Sequence, residues 1–313
     1  MQTDKRKALR EGTLTPLIAA TLIGISQVIF IENAVSGLII LIAIMLSSVS
    51  IGIIALLSAF IAALIGRFGG AEKTIVNQGL LSYNSVLAGI ALALNLDGDM
   101  RWIIALGGAA VAALFTAAMM HMLRNTTIPV MTFPYIVLTW FLLLASYRLE
   151  AFKLNPDLLP QDLSHWKLHA GGSMDWFHGL VNGIGQVYFQ DNVWSGILIF
   201  IGVLWAGWRL GLYAVIGTIV AWLAAYGLGA EVSLLNAGLY GYNAVLTILA
   251  VAAVFDAKSR FAPWAGIIAA ILTVPVTASL DSWLLPYGLP TLTMPFVLCT
   301  WLFLAARKVL PKL

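Results

Sequence analysis

GISQVIFIENAVSG, residues 24–37, occurs a second time in the chain as GIGQVYFQDNVWSG, residues 183–196. The two segments are 159 positions apart and agree at eight of fourteen places: Gly24/Gly183, Ile25/Ile184, Gln27/Gln186, Val28/Val187, Phe30/Phe189, Asn33/Asn192, Ser36/Ser195 and Gly37/Gly196. Leu-Ala sequences repeat by chance in any apolar helix. A shared Gln, Phe, Asn, Ser and two glycines at fixed spacing do not, so the chain reads as an internal duplication.

The repeat continues outward from this segment. GLLSYNSVL at 79–87 matches GLYGYNAVL at 238–246 at the same displacement of 159, pairing Tyr83 with Tyr242, Asn84 with Asn243 and Leu87 with Leu246. TFPYIVLTW at 132–140 matches TMPFVLCTW at 293–301 at a displacement of 161, so the second half gains two residues between these motifs.

The duplicated chain is built for lipid. Of its 313 residues, 61% are hydrophobic and 10% charged, against about 25% charged in a soluble domain. The net charge of +3 gives no case for nucleic acid, and the single cysteine, Cys299, rules out a disulfide framework or a Cys-based metal site. Lys5, Arg6, Lys7 and Arg10 precede an apolar run that leads into the first motif without a small-residue cleavage site, so this end is expected to be mature structure.

Hydropathy predicts an all-α polytopic membrane protein. Residues 15–28 are too short for a span, which needs about 20 residues, and are expected to form a re-entrant half-helix. Spans follow near 35–49, 51–66, 76–96, 102–122 and 132–147. After a polar interval at 148–178, a short element near 177–187 and spans near 194–208, 211–227, 238–255, 262–280 and 293–306 repeat the pattern. The expected organisation is a first repeat at 1–148, an extracytoplasmic connector at 149–176 and a second repeat at 177–313. Five spans per half is odd, so the second repeat should be inverted. With the first residues cytoplasmic, 13 Lys and Arg fall on the cytoplasmic side (Lys258, Arg307 and Lys312 among them) and four on the other. The positive-inside rule supports that orientation, with both termini cytoplasmic.

Inverted-repeat membrane proteins place solute sites where interrupted helices meet near the midplane. Gln27-Val28 and Gln186-Val187 fall where the half-helices should end, and a helix C-terminus exposes unpaired carbonyls. Two converging ends would make a file of neutral acceptors, suited to a solute rich in N–H groups. The competing reading is glutamine bonding a neighbouring helix. Phe30, Phe189, Tyr83 and Tyr242 would line a flat slot, or else pack as ordinary core. Thr132 and Thr293 precede X-Pro, where N-capping competes with a pore-facing hydroxyl. Asn33/Asn192 and Asn84/Asn243 are expected to tie broken helices together. Glu32 and Asp191 are the acids available for a proton relay; Glu72 and Glu231 are expected to be solvated. His165, His169 and His178 make a poor metal set, and no catalytic motif is present. No buried Lys or Arg is expected, which favours a passive path.

Together these motifs resemble the urea transporter family, which carries a repeated G-x-x-Q/E-V-x-F…N segment, a repeated G-[FY]-N segment and an L-P-x-x-T-x-P-F box in each half. The boxes stand here as IPVMTFPY at 128–135 and LPYGLPTLTMPF at 285–296, and LNPDLLP at 154–160 is similar to the family's linker. The resemblance covers nearly the whole chain. It implies passive, channel-like conduction of urea without a cofactor, ten spans with two re-entrant helices, and a homotrimer with a pore in each subunit of a bacterial inner membrane. By the same resemblance, Gln27, Val28, Gln186 and Val187 supply the oxygen file. Phe30, Tyr83, Leu87, Phe189, Tyr242 and Leu246 form the slots, and Thr132 and Thr293 face the constriction. Tyr135 stands where the box has Phe, Ser82 where the second half has Gly241, and Tyr83 and Tyr242 where Phe is common, which bears on selectivity among urea analogues. The alternatives are a proton-coupled or ammonia or small-amide transporter acting through Glu32 or Asp191, and a membrane enzyme or receptor-like protein.

Overall fold

The computed structural model describes residues 16–168, 171–255 and 259–310. Lys5, Arg6, Lys7, Arg10, His169, Lys258 and Lys312 lie outside the described residues. The architecture is all-α, with one two-residue antiparallel ladder, Leu96–Asp97 on Lys153–Leu154, that ties the segment after the first set of helices back onto them.

The two copies of the opening motif sit at two sharp bends. Helix α1 (Pro16–Ile29) meets α2 (Ala34–Ser47) at 75°, and α8 (Trp176–Gly185), extended by a 3-10 turn at Gln186–Tyr188, meets α9 (Val193–Ala206) at 70°. After each bend the same order recurs. In the first half come α3 (Val49–Phe68), the short α4 (Lys73–Asn77), α5 (Ser82–Asn95), α6 (Arg101–Leu123) and α7 (Phe133–Ala145). In the second come α10 (Trp208–Gly227), the short α11 (Val232–Asn236), α12 (Gly241–Leu249), α13 (Ala262–Leu284) and α14 (Met294–Val309). Helices α3, α6, α10 and α13, and each bent pair taken together, are long and apolar enough to cross a membrane.

The spans expected at 76–96 and 238–255 are not continuous helices. Each begins with a turn that breaks α4 from α5 and α11 from α12, and α12 ends in a π turn at Ala250–Val254. Backbone proximity causes the break. Gly79 (φ +67°) and Gly238 (φ +74°) hold left-handed conformations where a Cβ would lie 2.5 Å from Gly24 Cα and 2.3 Å from Gly183 N. Only glycine combines that backbone with that contact, so the recurring glycines seat each half-helix against the following turn.

Helix α5 packs on α3, α6 and α7, and α12 on α10, α13 and α14; α2 packs on α9 across the molecule. The 161-residue repeat makes reciprocal bonds between halves: Trp140 Nε1 donates to Pro290 O at 2.8 Å, and Trp301 Nε1 to Pro129 O at 2.9 Å.

Candidate functional site

Both half-helices end the same way. Phe30 N–H donates to Gln27 O at 3.0 Å and Ile31 N–H to Ser26 O at 3.1 Å; Phe189 N–H donates to Gln186 O at 3.0 Å and Gln190 N–H to Gly185 O at 3.1 Å. This is the Schellman pattern, with phenylalanine at the left-handed position usually held by glycine. Phe30 has φ 64° and Phe189 φ 59°, a conformation that costs a non-glycine residue about 1–2 kcal/mol. The Gln27 and Gln186 main-chain carbonyls each accept one hydrogen bond in this turn, which leaves each a second lone pair. Among the described residues no donor reaches the carbonyls of Val28 or Val187. Gln27 Oε1 is also buried without a partner, whereas Gln186 Nε2 donates to Ala237 O at 3.2 Å.

The second motif supports a second pair of left-handed residues. Met131 (φ 53°) and Leu292 (φ 51°) precede the two threonines. Met131 O accepts from Tyr83 Oη at 2.8 Å and Asn84 Nδ2 at 3.2 Å; Leu292 O accepts from Tyr242 Oη at 2.6 Å and Asn243 Nδ2 at 3.4 Å. Each Tyr-Asn pair thus holds the strained residue that presents a threonine. Asn33 and Asn192 instead cap α2 and α9: Asn33 Oδ1 accepts from Val35 N and Ser36 N, and Asn192 Oδ1 from Trp194 N and Ser195 N.

Two cavities flank these threonines. One, of about 290 Å³, is lined by Gln27, Val28, Phe30, Tyr83 and Thr132, together with Phe255 and Phe296 from the other half. The other, of about 210 Å³, is lined by Gln186, Val187, Phe189, Tyr242 and Thr293, with Tyr135 and Asn95 from the first half and Thr277, Asp281 and Thr291. Thr132 Oγ1 and Thr293 Oγ1 are 2.6 Å apart between them, and Tyr135 Oη is 3.0 Å from Thr293 Oγ1. Neither threonine side chain caps its helix, so the N-capping reading does not hold. Phe30 meets Phe255 and Phe296 edge-on, with ring centroids 5.6 and 5.9 Å apart.

Ten of the twelve expected residues line one cavity or the other. Leu87 and Leu246 do not: both are fully buried in the core, one helical turn beyond Tyr83 and Tyr242. Glu32 and Asp191 are exposed and line neither cavity. Glu231, expected to be solvated, is only 7% exposed. The expectation of no buried Lys or Arg also fails. Arg307 is 5% exposed and donates to Val251 O, within the π turn, and to Phe255 O, just after it, at 2.8 Å each. Tyr135 and Phe296 stood in the quoted boxes and were legible as a pair, but the exchange of each into the other half's cavity was not. Phe255 and Asp281 belong to no repeated motif, and Thr291 takes a variable place in its box where the first half has Val130, so repetition marks none of the three.

The family model for the urea transporter matches residues 18–308. Among curated proteins the chain is 27% identical over 303 residues to urea transporter 1 of Ovis aries and to that of Capra hircus, covering 93% of this chain and 77% of each relative. Urea transporter 1 of Rattus norvegicus is 25% identical over 295 residues, with the same coverage.

Proposed function

The chain belongs to the urea transporter family, and from that premise we propose that it conducts urea passively across the membrane along a path joining the two cavities through the Thr132–Thr293 contact. It is a transporter, not an enzyme. The observation that carries the path is the placement of repeated-motif residues around two cavities whose linings touch through one hydroxyl pair. The reciprocal Trp–Pro bonds support reading the halves as inverted repeats, 1–148 and 177–313, joined by a connector at 149–176.

Urea entering this path gives up water bonds from its N–H groups, and each one left unmet costs about 1–3 kcal/mol. Gln27 Oε1, the Val28 carbonyl and Thr132 Oγ1 offer acceptors on one side; Thr293 Oγ1 and the Val187 carbonyl offer them on the other. The Phe30, Phe255 and Phe296 rings flank a slot that admits a flat neutral solute. Among the described residues the first cavity is lined by no charged side chain to replace an ion's hydration, and neither cavity is lined by Lys or Arg to receive an anion. The exposed positions of Glu32 and Asp191, outside both linings, disfavour proton coupling through them.

The proposal includes a homotrimer in a bacterial inner membrane with both termini cytoplasmic, resting on the family resemblance and the 13-to-4 bias of Lys and Arg. Stopped-flow light scattering on proteoliposomes tests the transport reading. Fast urea equilibration, unchanged by a protonophore, is expected. A rate equal to that of empty liposomes, from folded protein, overturns urea as the solute, and a rate that follows the proton gradient overturns passivity.

A further inference from the structure

The two cavities are related through the repeat, yet their polar groups differ at corresponding positions. At the 161-residue displacement, Met120 and Val130 of the first cavity correspond to Asp281 and Thr291 of the second. The helical positions one turn earlier are threonine in both halves but are bonded differently. Thr116 Oγ1 donates to Ala112 O at 2.7 Å, its own helix's backbone. Thr277 is 2% exposed, lines the second cavity, and its Oγ1 has no partner. Pro275, which stands where the first half has Leu114, removes one N–H from the α13 ladder two residues before Thr277.

Asp281 lies four residues after Thr277, on the same face of α13. Thr291 lines the second cavity together with Asp281 and Tyr242. Asp281 and Leu239 also line the adjoining space of about 320 Å³ roofed by Asp157–Leu159, Gln161 and Trp166. Asp281 therefore stands between the two spaces, and among the described residues no Lys or Arg lines either.

We propose that Asp281, with Thr277 and Thr291, forms a subsite at this one mouth that holds planar N–H-rich cations, guanidinium being the simplest, and that such a cation occupies the mouth and obstructs urea. The inference rests on the urea reading of the same cavity. Guanidinium shares urea's flat three-armed shape and adds a charge, and a carboxylate accepts two parallel N–H bonds from it. The uncompensated Thr277 hydroxyl offers a further acceptor on the same face. The Met120 side has no counterpart, so the subsite is expected at one end of the path only.

Two readouts test this, with sodium chloride matched throughout for ionic strength. The first is broadening of the 13C resonance of labelled guanidinium by purified protein. The second is the guanidinium concentration that halves urea flux in proteoliposomes. Wild-type protein is expected to broaden the resonance and to be blocked. Asp281→Asn should raise the half-blocking concentration about tenfold or more, the scale of a lost charge-assisted bond, while Asp281→Glu keeps the block. Absence of both broadening and block in wild-type protein, or equal effects in wild type and Asp281→Asn, overturns the subsite. Broadening that depends on Asp281 in a protein without urea flux supports the subsite and overturns the urea reading instead.

Discussion

Thr132 and Thr293, 161 residues apart in sequence, bring their hydroxyl oxygens to 2.6 Å, and Tyr135 adds a second bond to Thr293 alone. Thr293 N–H also donates to the Tyr135 hydroxyl at 3.2 Å. The junction between the cavities is thus asymmetric, although the sequence around it is repeated.

That asymmetry predicts unequal costs. Thr132→Val removes one partner of Thr293, whose hydroxyl keeps Tyr135, and should cost about 1 kcal/mol. Thr293→Val leaves the buried Thr132 hydroxyl without its partner and takes the acceptor from the Tyr135 O–H, whose oxygen keeps the residue-293 N–H, and should cost about 2 kcal/mol or more. Thermal unfolding in detergent should rank wild type above Thr132→Val above Thr293→Val, and both variants should conduct urea more slowly. Equal midpoints for the two variants would contradict the geometry.

The two glutamines should separate stability from conduction. Gln27 Oε1 is buried without a partner, so Gln27→Leu removes an unmet acceptor and should leave the unfolding midpoint unchanged or raised while lowering urea flux. Gln186 Nε2 bonds Ala237 O, so Gln186→Leu should lower both, the midpoint by the equivalent of about 1 kcal/mol. Paired flux and unfolding measurements check this; destabilisation by Gln27→Leu alone would contradict it.

Arg307 is tied to a wall of the slot. It donates to Phe255 O, and the Phe255 ring packs edge-on against Phe30. Arg307→Met removes the bonds to Val251 O and Phe255 O, costing about 1–3 kcal/mol, and frees a wall of the slot. The expected signature is a higher ratio of methylurea to urea flux than in wild-type protein. An unchanged ratio would assign Arg307 to stability alone.

Much of this was legible in the sequence for physical reasons. Gln27, Phe30, Tyr83 and Thr132 have chemically distinctive counterparts at fixed displacement, and ten of twelve such choices line a cavity. Leu87 and Leu246 recur equally well but serve the core, since repetition records equivalent places and not whether a side chain faces space. The broken starts of α5 and α12 escaped hydropathy because apolar residues continue through the turns; the positive φ of Gly79 and Gly238 is a tertiary demand from the neighbouring half-helix. Arg307 was hidden because two of its bonds go to backbone carbonyls in and just after a π turn, which no residue pattern announces.

The most direct test of the path is chemical closure at the threonine junction. In a Thr132→Cys, Cys299→Ala protein, urea flux is measured before and after a small methanethiosulfonate reagent modifies the new thiol, with modification quantified by mass spectrometry. The account predicts that flux falls in proportion to the fraction modified and that high urea slows the modification. Fully modified protein conducting urea at its unmodified rate would place the path elsewhere.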